Sequence, residues 1–174
     1  MFRELDTMKL FFEEPTREFN VREAARILKI SPATASKELK GLAKAGLLKK
    51  RKERIFDLYV ANIENDFYRD LKVFYNIRKL RESGLIDALN KYYLKPAILL
   101  FGSASIGMDN ETSDFDLLIV SEKTQHFSGA AQFEKKLNRK VQIFCVKNIK
   151  DLKNEHLINN ILNGITIQGR IKWI

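Results

Sequence analysis

Apolar residues recur along this chain in two different periods. Through the first third they fall in clusters of helical pattern: Phe2, Leu5, Leu10 and Phe12, then Ala24, Ile27 and Leu28, then Ala35, Leu39 and Leu42. That spacing predicts three helices, each with one apolar face. Pro15 closes the first. Asn20 suits the N-cap of the second, "VREAARILK". Ser31-Pro32 gives the third, "SPATASKELKGLAKA", a cap followed by proline at its first position, and Gly46 is placed to end it. "LLKKRKERIFDLYV" then reads as two short strands around a basic turn. Over residues 63–82 the helical period returns, with Ile63, Phe67, Leu71, Phe74 and Ile77 on one face. Ser83-Gly84 interrupts it and "LIDALNKYYL" resumes it. From residue 96 onward short apolar runs alternate with helical stretches. Strands are expected at 97–101, 115–120 and 141–146, a helix near 129–138, more than one helix over 149–162, and a last short strand at 165–168. That alternation is an α/β layout, and the chain as a whole is α+β.

One stretch resists this pattern. In "FGSASIGMDNETSDFDLLIV", Gly102-Ser103 follows an apolar run, and Asp114 and Asp116 stand immediately ahead of the apolar run Leu117–Val120. On an extended segment the two aspartates point to one face, their Cα atoms about 7 Å apart. Their repulsion is about 2–3 kcal/mol at an effective dielectric near 20. A divalent cation removes that cost, and ligation by oxygen alone suits Mg²⁺ or Mn²⁺. Glycine lets a ligand approach the backbone closely, and the hydroxyl of Ser103 can bond a phosphate oxygen. A phosphate site and a metal site in one unit describe phosphoryl or nucleotidyl transfer.

Gly102-Ser103, ten residues, then Asp114-x-Asp116 resembles the signature of the DNA polymerase beta nucleotidyltransferase superfamily, most of all its minimal prokaryotic members, the MNT proteins. The resemblance covers roughly residues 95–170. It implies a small mixed sheet with helices, an NTP whose triphosphate lies over the Gly-Ser turn, and two Mg²⁺ ions held by three carboxylates. It also implies transfer of a nucleoside monophosphate, taken here as AMP, to an acceptor on a protein or nucleic acid. By the same resemblance Asp114 and Asp116 are the catalytic metal ligands, and Gly102 and Ser103 hold the β/γ-phosphates. The third carboxylate belongs on the next core strand, "KVQIFCV", where the matching position falls on Gln142. An amide can accept a metal contact but cannot act as a base. Glu134, on the preceding helix, could swing in, though its helix position gives no reason to expect it. Two readings therefore stand: an active nucleotidyltransferase, or a domain that binds nucleotide without turnover.

Charge bears on the first third. The net charge is +9 over 174 residues. Residues 1–60 carry 14 Lys/Arg against 9 Asp/Glu, so +5 of that excess lies there. A local basic excess points to a polyanion, and five cations on one hairpin repel one another unless an anion is near. "ISPATASKELKGLAKAGLLKKRKE" resembles winged-helix regulators of the MarR/ArsR type. That resemblance implies a third helix in the major groove of double-stranded DNA, with Ser31, Thr34, Ser36, Lys37 and Lys40 facing it. Lys49, Lys50, Arg51, Lys52 and Arg54 would form the wing on the backbone. A winged helix that mediates protein contacts alone is the other reading.

The expected domains are a winged helix-turn-helix at 1–62, a helical linker or homodimer seam at 63–95, and a minimal nucleotidyltransferase at 96–174. Minimal nucleotidyltransferases of this kind partner HEPN-domain proteins as antitoxins, which makes such a protein the implied partner. The alternative function is a transcription regulator that senses nucleotide. The chain has no run of about 18 apolar residues, which leaves no expected membrane span. Its N-terminus lacks a signal-peptide core, and Cys145 is its one cysteine, so a cytoplasmic location is expected. His126 and His156 have no second ligand at metal spacing and read as surface residues. Cys145 reads as a packed small hydrophobe, and Trp173 as the closure of a core edge.

Overall fold

The structure, a computed structural model, describes residues 2–171; Trp173 and the side chains of Phe2 and Leu5 lie outside that description. The chain divides into two compact units, Met1–Lys72 and Val73–Ile174. The division falls within one helix, α4 (Asp66–Glu82).

The first unit holds α1 (Phe2–Glu13), β1 (Phe19–Asn20), α2 (Val21–Leu28), α3 (Pro32–Lys44), β2 (Leu48–Glu53) and β3 (Phe56–Ala61). Its caps follow the sequence: the Asn20 side chain accepts from the N–H of Glu23, and the Ser31 hydroxyl from that of Thr34. Gly46, at φ +77°, turns the chain out of α3. The strands form an antiparallel sheet in the order β1-β3-β2. Met8, Phe11, Phe12, Phe19, Leu39 and Tyr59 are buried in its core.

The second unit is built on a four-stranded sheet. Its elements are α5 (Leu85–Tyr93), β4 (Ala97–Phe101), β5 (Phe115–Val120), α6 (Ala130–Leu137), β6 (Val141–Val146), α7 (Glu155–Leu162) and β7 (Ile165–Gln168). The order is β6-β5-β4-β7, with β5 and β6 parallel and the other pairs antiparallel. Alternate residues of the strands feed two cores. Ile98, Leu100, Phe115, Leu117 and Ile119 pack with Leu80, Leu85, Leu89, Phe133 and Leu137. Leu99, Phe101 and Leu118 pack on the other side with Ile149 and Ile161, joined by Phe144 and Val146. Because β5 is covered on both faces, its apolar run is continuous rather than alternating. Among the described residues, no helix is long and apolar enough to cross a membrane.

The helices expected over 149–162 are a 3-10 turn, Ile149–Asp151, and α7, where Asn154 caps a fresh start by accepting from the N–H of Leu157. One element differs from expectation. In α4 the buried row is Tyr68, Lys72, Asn76 and Leu80, while Phe67 and Phe74 stay 58% and 53% exposed. Polar partners decide this face: the Tyr68 hydroxyl donates to the carbonyl of Phe11, and the Asn76 amide donates to the carbonyl of Ala104.

Candidate active site

At the end of β4 the chain makes an abrupt change of direction. Gly102 sits at φ +70°, ψ −161°, and Ser103–Ser105 form a 3-10 turn. Only glycine occupies that backbone region without strain. The turn is closed by Ser105, whose N–H and hydroxyl both donate to the Gly102 carbonyl at 3.1 and 2.7 Å. The N–H of Met108 returns to the Ser103 carbonyl at 3.0 Å.

A second reason for glycine lies across the strand pair. The antiparallel register sets Phe101 opposite Asp116, so the turn begins directly beside that carboxylate. A Cβ at position 102 would collide with Oδ2 of Asp116 and stand 3.4 Å from its Cγ. Gly102→Ala should therefore cost about 2–3 kcal/mol of stability, through backbone strain and this overlap. Urea unfolding of the metal-free chain measures it, and an unchanged midpoint would contradict the close approach.

Asp114 and Asp116 flank Phe115, which is wholly buried on the helix side of the sheet. Alternation then sends both carboxylates to the opposite face. Asn110 shapes the entry to this segment, its side-chain oxygen accepting from the Thr112 N–H and the Ser113 hydroxyl. On the other flank β6 runs parallel to β5 and pairs Gln142 with Asp116. Val141, Ile143 and Cys145 join the helix-side core, while Phe144 and Val146 join the other. Gln142 thus shares the aspartates' face, and its Nε2 donates to Oδ2 of Asp114 at 2.7 Å. The structure brings Gly102, Asp114, Asp116 and Gln142 together at one end of the sheet.

Burial pushes the Asp116 carboxyl above the ordinary aspartate range, and the negative charge of Asp114 adds to that push. A bound cation reverses both effects. Two carboxylates and the Gln142 amide oxygen, once that amide turns, make an all-oxygen donor set suited to one hard divalent ion. Among the described residues, no group of three or more His, Cys, Asp or Glu side chains is placed to hold a metal. Glu134 does not fill the gap, because its carboxylate accepts from the N–H of Val141 at 2.9 Å. His126 and His156 are exposed and away from any such group. Cys145 is half-buried, and burial raises its thiol pKa.

The residues that tie down the loop were not singled out by the sequence. Asp109 and Arg139 form an ion pair with side chains 0% and 3% exposed. Asn76 donates to Asp109 at 2.9 Å and to the Ala104 carbonyl at 3.0 Å. The Arg139 guanidinium also lies over the Phe115 ring, 5.3 Å from its centroid. In a linear reading such charges look like solvated surface, and only the buried contact reveals them.

In the first unit, Lys37 and Lys40 are exposed on α3, Ser36 is half-buried, and Ser31 and Thr34 are occupied with each other at the helix cap. The hairpin cations find their anions within the same unit. Lys49 pairs with Glu64, Lys50 with Asp57, and Arg51 with Glu18 and Glu53. Repulsion along the hairpin therefore does not by itself require an outside polyanion. Lys52 and Arg54 have no ion pair among the described residues.

Residues 83–171 match the family model described as polymerase beta, nucleotidyltransferase. Among the curated proteins none matches the chain.

Proposed function

Because the chain belongs to the polymerase beta nucleotidyltransferase family, we propose that its second unit transfers a nucleoside monophosphate, AMP by the resemblance, from an NTP to an acceptor hydroxyl. The observation that carries this reading is Gly102 pressed against Asp116. It sets the Gly-Ser turn directly beside Asp116, whose carboxyl is pushed up by burial and by the charge of Asp114. In the step, the acceptor hydroxyl gives up its proton to water, its oxygen bonds to the α-phosphorus, the bond from that phosphorus to the bridging oxygen breaks, and pyrophosphate leaves. The Ser103 hydroxyl would donate to a phosphate oxygen. Asp114, Asp116 and the Gln142 oxygen would hold a Mg²⁺ or Mn²⁺ ion, which when bound supplies positive charge to the triphosphate. Incubation with each α-labelled NTP and either metal, with and without candidate acceptors, tests it. Label that stays wholly in the NTP under every condition would refute turnover.

A second reading is favoured by Gln142. Its amide takes the place where a third carboxylate would accept the hydroxyl proton, and a domain so built can hold nucleotide without transferring it. Tight NTP binding with no label transferred selects this regulator.

The three helices and antiparallel hairpin of the first unit support a winged helix-turn-helix that delivers the chain to double-stranded DNA. A HEPN-domain protein as partner and acceptor, with the chain as antitoxin, rests on the resemblance alone. With Lys49, Lys50 and Arg51 engaged by acids, the cations free for phosphate are Lys37, Lys40, Lys52 and Arg54. Four contacts give a slope of log affinity against log salt of roughly −3 to −4, and replacing Lys52 and Arg54 with Ala should remove about half of it. Gel-shift titrations across salt measure the slope, and the DNA reading fails if duplex is not bound at low salt.

A further inference from the structure

We infer that Asp109, gripped by Arg139 and Asn76, is a positioning residue that holds the Gly-Ser turn in the shape that receives the triphosphate. The inference rests on the nucleotidyl-transfer reading and adds a device to it. Asn76 is a single amide with two acceptors: the carbonyl of Ala104, next to Ser103, and the Asp109 carboxylate. One side chain of α4 therefore fixes both the start of the loop and its middle. Arg139 takes the other carboxylate oxygen of Asp109 and lies over the ring of Phe115, the residue between the two site aspartates. It stands two residues ahead of β6, the strand that carries Gln142.

The three parts of the site come from three separate segments. The Gly-Ser turn belongs to the loop after β4, the aspartates to the start of β5, and Gln142 to β6. The Asp109–Arg139–Asn76 cluster touches the loop, Phe115 and the chain entering β6. Its burial makes it stiff, because a buried charge that loses its partners is costly, so alternative loop positions that open the cluster are disfavoured. Exposed polar groups would not restrain the loop in this way. A phosphate approaching Ser103 meets a backbone already set, which lowers the ordering cost of binding.

The test uses the full chain with Asn76→Ala and, separately, Asp109→Asn. Three quantities are measured in each: affinity for ATP with Mn²⁺, affinity for Mn²⁺ alone, and amide hydrogen exchange. Affinity for ATP should fall about tenfold, the order of a buried hydrogen bond's net contribution, while that for Mn²⁺ alone stays within about twofold. Exchange at Ser105 and Met108 should quicken, with Leu117–Ile119 unchanged. A merely structural role would weaken Mn²⁺ and ATP together and quicken exchange in the strand as well, and that pattern overturns the proposal. ATP bound equally by the unaltered chain and both variants overturns it alone. No ATP binding by the unaltered chain overturns the nucleotidyl-transfer reading, and the proposal with it.

Discussion

Asp116→Asn should reduce nucleotidyl transfer by about a thousandfold or more, because a metal-held site contributes several kcal/mol to the transition state and each 1.4 kcal/mol is about tenfold. The fold should survive, since Asn keeps the shape of Asp and leaves Gly102 its space. Metal-free stability should change in a direction fixed by the charge. Burial and Asp114 raise the Asp116 pKa in the folded chain above its unfolded value. Ionised Asp116 is therefore a cost to the native state at neutral pH. The cost is relieved as pH falls through the raised native pKa and is gone below the ordinary aspartate range. The unaltered chain should thus gain stability relative to the Asn variant as pH is lowered through that window. Thermal unfolding of both chains with EDTA, from neutral to acid pH, measures the difference. Parallel curves would contradict the raised pKa, and transfer that persists in the variant would remove Asp116 from the chemistry.

The second large effect is a gain. Gln142→Asp should raise transfer by ~10²–10⁴-fold, the contribution of a positioned base. The same change is unfavourable when no metal is bound. Gln142 now donates to Asp114, and a carboxylate there replaces a hydrogen bond with like-charge repulsion. The variant should be less stable than the unaltered chain without metal and should gain more when Mg²⁺ is added, since a ligand stabilises in proportion to its preference for the folded state. Asp is one methylene shorter than Gln, so Gln142→Glu, which keeps the reach, belongs beside it. If neither variant alters turnover while the unaltered chain is active, the proton is accepted elsewhere and Gln142 is not the substituted ligand.

Much of the fold was legible because it depends on local signals. Asn20 and Ser31-Pro32 mark helix starts whatever surrounds them, and the alternation of "KVQIFCV" separates its two faces without reference to a partner strand. What escaped the sequence depends on contacts between distant residues. The two-residue strand Phe19–Asn20 exists only because β3 is there to pair with it. The exposed phenylalanines of α4 outscore Asn76 on any hydropathy scale, yet Asn76 is buried because Ala104 and Asp109 offer it partners. Asp109 and Arg139, thirty residues apart, carry no sign in the linear chain that they neutralise each other. The hairpin shows the same effect in reverse: Glu18 and Glu64 lie outside the basic run but supply its counter-charge. At the site, residue types and spacing marked Gly102, Asp114 and Asp116. The adjacency of Gly102 to Asp116 comes from strand register, which spacing does not encode.

That adjacency has a consequence for how the chain can change over generations. A methyl group at 102 overlaps the Asp116 carboxylate where it stands, so the two positions are coupled. A lineage that first replaces Gly102 inherits a clash, whereas one that has already shortened residue 116 meets only the backbone strain. The order of substitution thus decides which intermediates survive, and the energetic penalties of the two changes are not additive. Any descendant that abandons the acidic pair loses part of what constrains its glycine, and drift at position 102 would record that the site had fallen out of use.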